Sequence, residues 1–107
     1  MNWPPLIIKS LRFFLPAKTK ADKIVVEIYS KPDCHLCEEA KSILVMMQRR
    51  YGFQLREVNI ANDPALLAEY GERIPLIYVN GHLVCKHFVD EKAVAKWIAL
   101  ASTDASR

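Results

Sequence analysis

Cysteine is scarce in this chain, with three in 107 residues. A secreted domain stapled by disulfides needs more of them, and an even number. Long apolar runs are missing too. The richest stretch runs from Leu6-Ile7-Ile8 to Phe13-Phe14-Leu15, interrupted by Lys9 and Arg12 and bracketed by Pro4-Pro5 and Pro16. It is too short to span a bilayer. It also lacks a charged start and a small-residue cleavage site, so no secretory signal is expected. There are no internal repeats and no low-complexity segments. Nor does charge of one sign dominate. The net charge is +3, but residues 1–23 carry five cations against Asp22 alone, a net of +4. The remainder sums to −1, so no nucleic-acid partner is expected.

What is present suits one globular domain. About half the residues are hydrophobic and a quarter are charged. A chain of this length buries roughly two thirds of its unfolded surface and folds without staples. The boundaries read as an extension over 1–22, a domain over 23–103 and a tail over 104–107. The extension is expected to pack on the domain or stay partly disordered, with membrane-surface association or organelle targeting as the alternative. A membrane partner is not expected for the domain itself. The cysteine usage points to a reducing, cytoplasmic setting, and the chain is expected to be monomeric.

Element signals alternate along the domain. Ile24 to Tyr29 is a β-branched run of strand length, apolar enough to suggest burial on both faces. From Cys34 to Tyr51 the pattern turns helical, with Leu36, Ala40, Ile43, Leu44 and Met47 recurring at three- and four-residue steps. Glu38 and Glu39 in its first turn and Arg49 and Arg50 in its last favour the helix dipole, and Gly52 is placed to end it. Phe53 to Ile60 reads as a second strand. Asp63-Pro64 opens a short helix as N-cap and first helical residue, and Gly71 closes it. Leu76 to Val79 is a third strand. Asn80-Gly81 signals a type I′ hairpin, with His82 to Phe88 as the return strand. Asp90 is placed to cap a last helix whose apolar face holds Ala93, Val94, Trp97, Ile98 and Ala101. The order is β-α-β-α-β-β-α. The opening βαβ unit predicts a right-handed crossover between parallel strands, and the hairpin completes an α/β fold with a four-stranded mixed sheet and helices on both faces.

Chemistry concentrates at Cys34-His35-Leu36-Cys37, a C-x-x-C between a buried strand and a long amphipathic helix. A thiolate is the nucleophile in disulfide exchange, and an ordinary cysteine holds little of it at neutral pH. A helix N-terminus offers unpaired N–H groups and the positive end of the dipole, which favour the anion. Lys31 and His35 lie close enough in sequence to add positive charge, while Glu38 and Glu39 oppose it. The spacing also lets Cys37 attack Cys34 and resolve a mixed disulfide. Cys34 is therefore expected to be the exposed attacker and Cys37 the buried resolver. Cys85, among Leu83, Val84 and Phe88, reads as a structural thiol, with regulatory oxidation as the alternative. Pro75 belongs at the first position of its strand. No metal ligand set is expected from His82, Cys85 and His87.

Two stretches, VVEIYSKPDCHLC over 25–37 and YGERIPLIYVNG over 70–81, together with the element order, resemble the glutaredoxin family of the thioredoxin superfamily. The resemblance covers residues 24–101 and implies a thioredoxin-like fold. It implies Cys34 as nucleophile and Cys37 as resolving thiol. It implies Pro75 as a cis-proline, with Ile74 offering its backbone to an extended peptide or to glutathione. Lys31 and His35 would belong to a glutathione or substrate site, and Asp90 would stand at its far end. The sequence differs from the standard pattern in two places. His35-Leu36 stands where proline and an aromatic are usual, and Phe88-Val89 stands where a Gly-Gly kink is usual. No bound cofactor is expected, and glutathione is a candidate co-substrate alongside protein and low-molecular-weight disulfides. The reading is a thiol–disulfide oxidoreductase. The alternative is a non-enzymatic module that holds an iron–sulfur cluster or metal, or docks a redox partner.

Overall fold

A computed structural model describes residues 23–105; the expectations for the extension over 1–22 lie outside these residues. Strand β1 is Val25–Ser30, helix α1 His35–Tyr51 and strand β2 Gln54–Asn59. A 3₁₀ turn, Ile60–Asn62, leads into helix α2, Pro64–Tyr70. Strands β3, Leu76–Val79, and β4, His82–Lys86, precede helix α3, Glu91–Ala105.

The sheet order is β2-β1-β3-β4. β1 and β2 run parallel, with Ile28 opposite Glu57. β1 and β3 are antiparallel, with Ile28 opposite Ile77, and the β3–β4 hairpin carries an irregularity between Ile77 and Tyr78. Local chemistry accounts for the joints. Gly52 takes φ +82°, the left-handed conformation that ends α1, and its N–H reaches the Gln48 carbonyl at 2.7 Å. Asp63 caps α2 by accepting from the N–H groups of Ala65 and Leu66. Asn80 and Gly81 both have positive φ, +48° and +85°, as a type I′ turn requires. The Asn80 side chain also accepts from Val25 N–H at 2.9 Å and its own N–H donates to the Val25 carbonyl, pinning the turn to the start of β1.

One face of the sheet carries the main core. Val26, Ile28, Ile77, Val79 and Cys85 meet Ala40, Leu44 and Met47 of α1 and Val94 and Ile98 of α3. Each fully buried aliphatic side chain contributes about 1.5–3 kcal/mol through its removal from water. The second face is only partly covered, by the end of α2, where the Tyr70 ring meets Tyr29 edge-on at 5.5 Å.

Three expectations need correction. β1 is not buried on both faces: burial alternates, with Val26, Ile28 and Ser30 inside and Val25, Glu27 and Tyr29 half-covered. Only one face meets long helices. Leu36 is outside the core, 47% exposed; the buried stripe of α1 starts at Cys37. The return strand stops at Lys86, because His87 turns to φ +71° and leaves the ladder. Smaller shifts trim the first two strands. Ile24 precedes β1 yet already accepts from Gln54 N–H at 2.8 Å.

Candidate active site

β1 delivers the chain to a turn at Lys31-Pro32-Asp33, where Asp33 takes φ +63°, a conformation that aspartate tolerates better than most residues. Cys34 then caps α1 in extended geometry. Its Sγ accepts from the Cys37 N–H at 3.2 Å. A sulfur thus occupies the place of a capping oxygen, at one of the orphan donors of the helix start. Cys34 and Cys37 are joined in a disulfide with Cα atoms 5.2 Å apart, within the ordinary range for such a bond. Cys37 is fully buried and Cys34 half-buried.

The pair sits in a small apolar cluster of its own. Cys37, Ile60 and Ile74 are its buried members, with Tyr29, Cys34, Leu66 and Tyr70 packed around them. The Ile74–Pro75 peptide is cis. The Pro75 carbonyl accepts from His87 N–H at 2.7 Å, and Ile74 makes no backbone hydrogen bond among the described residues. A strand start with unpaired amide groups is therefore held beside the disulfide. Lys31, three residues before Cys34, is half-buried and has no ion-pair partner among the described residues.

The charges near the pair are mostly engaged elsewhere. His35 Nε2 lies 2.7 Å from Glu39 Oε2, both side chains well exposed. Glu38 pairs with Lys41 at 2.8 Å, and Lys41 also reaches Glu57 at 3.1 Å. Ser30, buried at the end of β1, donates to the same Glu57 oxygen at 2.6 Å. The Ser30 hydroxyl, and then Lys41, hold the Glu57 carboxyl below its usual range against the opposing effect of burial. Hydrogen bonds to Glu38 and Glu57 raise Lys41 in turn. This chain of contacts fastens the first turns of α1 to β1 and β2, and nothing in local sequence announced it.

Asp90 acts as a cap, its Oδ1 accepting from Ala93 N–H at 3.2 Å. Its own N–H points to the Cys85 sulfur at 3.4 Å. Cys85 is free and buried, and burial pushes its thiol pKa up. His82 stacks on Trp97 at 5.1 Å. No group of three or more His, Cys, Asp or Glu residues is placed to hold a metal ion among the described residues. No helix among them is long and apolar enough to cross a membrane.

The fold around this pair has known counterparts. The glutaredoxin-like domain (DUF836) family matches residues 25–99, which includes the disulfide, the Ile74–Pro75 step and most of α3. The chain belongs to that family. Solved structures agree with the assignment. This glutaredoxin-like domain is 26% identical to protein Ne2328 from Nitrosomonas europaea, with a TM-score of 0.62, over 78% of this chain and 98% of that one. It is 28% identical to protein XcR50 from X. campestris, with a TM-score of 0.54, over 70% and 96% of the two chains. Thioredoxin-2 of the malaria parasite, at 19% identity and a TM-score of 0.57 over 73% and 82%, shares the thioredoxin fold.

Several residues that line surface grooves went unremarked as site residues in the sequence. Leu36 and Phe88, 47% and 66% exposed, share a groove of about 60 Å³ with Val89. Arg73 and Lys86 line another, of about 210 Å³, with Tyr70 and Tyr78. His87 borders both. The available signal was Phe88 itself, a large apolar residue just before a helix cap. A larger groove of about 280 Å³, between Met46 and Arg50 of α1 and Lys92 and Ala95 of α3, shares no residue with the cysteine pair.

Proposed function

We propose that this glutaredoxin-like domain is a thiol–disulfide oxidoreductase working through Cys34 and Cys37. The carrying observation is a cysteine sulfur at the N-cap of α1, accepting a backbone N–H and bonded to a buried partner one turn on. In the reduced protein the same N–H donor and the helix dipole favour a Cys34 thiolate. That thiolate attacks one sulfur of a substrate disulfide and expels the other as a thiolate. Cys37 then loses its proton and attacks Cys34 Sγ, releasing the second substrate thiol and leaving the Cys34–Cys37 disulfide. Two electrons pass from the dithiol to the substrate. A low-molecular-weight thiol such as glutathione, or a dithiol protein, restores the reduced form, and the reaction belongs in a reducing compartment such as the cytoplasm.

The unpaired backbone of Ile74 offers an extended substrate a short antiparallel pairing beside the reacting sulfur. Lys31 supplies positive charge near Cys34, whereas His35, engaged with Glu39, is left as a polar contact for the substrate. Asp90, engaged as a cap, is a weaker anchor for a glutathione head group than the resemblance implied.

Equilibration in glutathione buffers followed by thiol mapping by mass spectrometry tests this reading. An intramolecular Cys34–Cys37 bond that forms and breaks with the buffer poise supports it, as does loss of disulfide reduction in Cys34→Ser. Full activity in Cys34→Ser, or a pair that never reduces in the folded protein, overturns it.

A further inference from the structure

Two surface grooves, one lined by Leu36 of the cysteine motif and one by Tyr70 of the disulfide cluster, differ in chemistry and meet at one residue. Leu36 lies between the two cysteines in the chain, and it lines the first groove with Glu39, Ile43 and Phe88. On the other side, Tyr70 packs with Cys34 around the buried Cys37, Ile60 and Ile74, and it also lines the groove of Arg73 and Lys86. His87 borders both grooves, and its N–H is bonded to the Pro75 carbonyl. A mainly apolar slot, with a residue of the cysteine motif in its wall, thus meets at His87 a cationic slot that has a residue of the disulfide cluster in its wall.

Neither slot is satisfied by the protein itself. Phe88 leaves most of its ring in water. Arg73 and Lys86 have no ion-pair partner among the described residues. Arg73 and Lys86 line the same groove, and Glu69, whose charge acts on Tyr78, is not among its lining residues.

The covalent step identifies what must cover this surface. Whatever forms the mixed disulfide at Cys34 has its own cysteine tethered there, and its neighbouring groups fall over the two slots. In an extended chain, residues two positions either side of a cysteine turn their side chains the same way as the cysteine. The γ-glutamyl head of glutathione is zwitterionic and gains nothing by displacing water from Phe88 and Leu36. An apolar side chain does gain there, and an acidic one gains opposite Arg73 and Lys86.

We infer that the substrate is a polypeptide disulfide bearing an apolar side chain on one flank of its cysteine, received by Leu36 and Phe88, and an acidic side chain on the other, received by Arg73 and Lys86. This rests on the dithiol-exchange reading above and adds the substrate class to it.

The test uses the full chain, reduced, against short peptides whose single cysteine is capped as a mixed disulfide with mercaptoethanol. One peptide carries Leu two residues before and Asp two residues after the cysteine, one has them reversed, and one has Ser at both. Glutathione disulfide and hydroxyethyl disulfide complete the set. One Leu/Asp order is expected to react about tenfold faster than the Ser peptide, an ordinary discrimination for one well-placed apolar group, and faster than glutathione disulfide. Phe88→Ser, at an exposed position, should bring the preference for Leu over Ser toward unity. Arg73→Gln with Lys86→Gln should do the same for Asp over Ser and remove its salt dependence. Preferences are read as ratios within each variant, so general loss of activity does not mimic them. Equal rates for all peptides, glutathione disulfide as the fastest substrate, or preferences unmoved by these variants would overturn the inference. A protein that fails to reduce even hydroxyethyl disulfide defeats the dithiol-exchange reading itself, and this inference with it.

Discussion

At the scale of single residues, burial separates the three cysteines. Cys37 is sealed, Cys34 is half-buried and Cys85 sits in the main core with its thiol pKa raised by burial. After reduction, alkylation of the folded protein should therefore modify Cys34 first and Cys85 only on unfolding, as peptide mapping over time would show. Cys37→Ser should trap substrate on Cys34, visible as an adduct in the intact mass, because the second thiolate attack is lost. Glu57 gives a pH prediction. Its carboxyl is held lower in the folded protein than in the unfolded chain, chiefly by Ser30. Its contribution is therefore complete above the usual carboxylate pKa and disappears as pH falls through the lowered folded value. Its side chain is 45% exposed, so solvent screening limits the effect to roughly 0.5 kcal/mol. Glu57→Gln should flatten the acid limb of stability against pH by that order, measured by denaturant unfolding from pH 3 to 7.

At the scale of elements, much was legible because the signals are local. The apolar period of α1, the Asp63-Pro64 start of α2 and the Asn80-Gly81 turn each rest on residues within a few positions of one another. The losses came where a distant partner decides. The end of β4 was overrun because the left-handed turn at His87 is fixed from outside its own segment, by the bond to Pro75 twelve residues back. Leu36 was misplaced because its step of four to Ala40 fits the same helical period as the true stripe. The cysteine pair was readable from its spacing at a helix start, whereas the cis form of the Ile74–Pro75 bond was implied only by the family resemblance, and Pro75 lies just before β3 rather than in it. The grooves were not readable, since each joins residues from separate elements. Energetics follow the same division. Leu44→Ala, at a fully buried site in α1, should cost about 3 kcal/mol. Asp63→Ala, which removes only a cap, should cost about 1 kcal/mol. Chemical denaturation of both variants separates the two.

At the scale of the whole molecule, stability is unevenly distributed. β1 and β3 lie at the centre of the sheet and bear the main core, whereas α2 contains no buried residue. Amide exchange should therefore be slowest in β1 and β3 and fastest among the helices in α2. Equal protection of α2 and α1 would contradict this distribution. The weak helix is also the one whose last residue, Tyr70, touches both the disulfide cluster and the cationic groove. The helix that borders both the disulfide cluster and the cationic groove is thus the one with no buried residue of its own.

The disulfide cluster and the main core share no buried residue. Breaking and remaking the Cys34–Cys37 bond therefore perturbs a compartment bounded by Tyr29, Ile60, Leu66 and Ile74, while the apolar mass beneath α1 and α3 keeps its packing. Under the proposed exchange reaction, such a partition spares the main core at each change of covalent state. It also leaves each compartment free to vary in sequence under its own constraint, the larger one for folding and the smaller for reactivity.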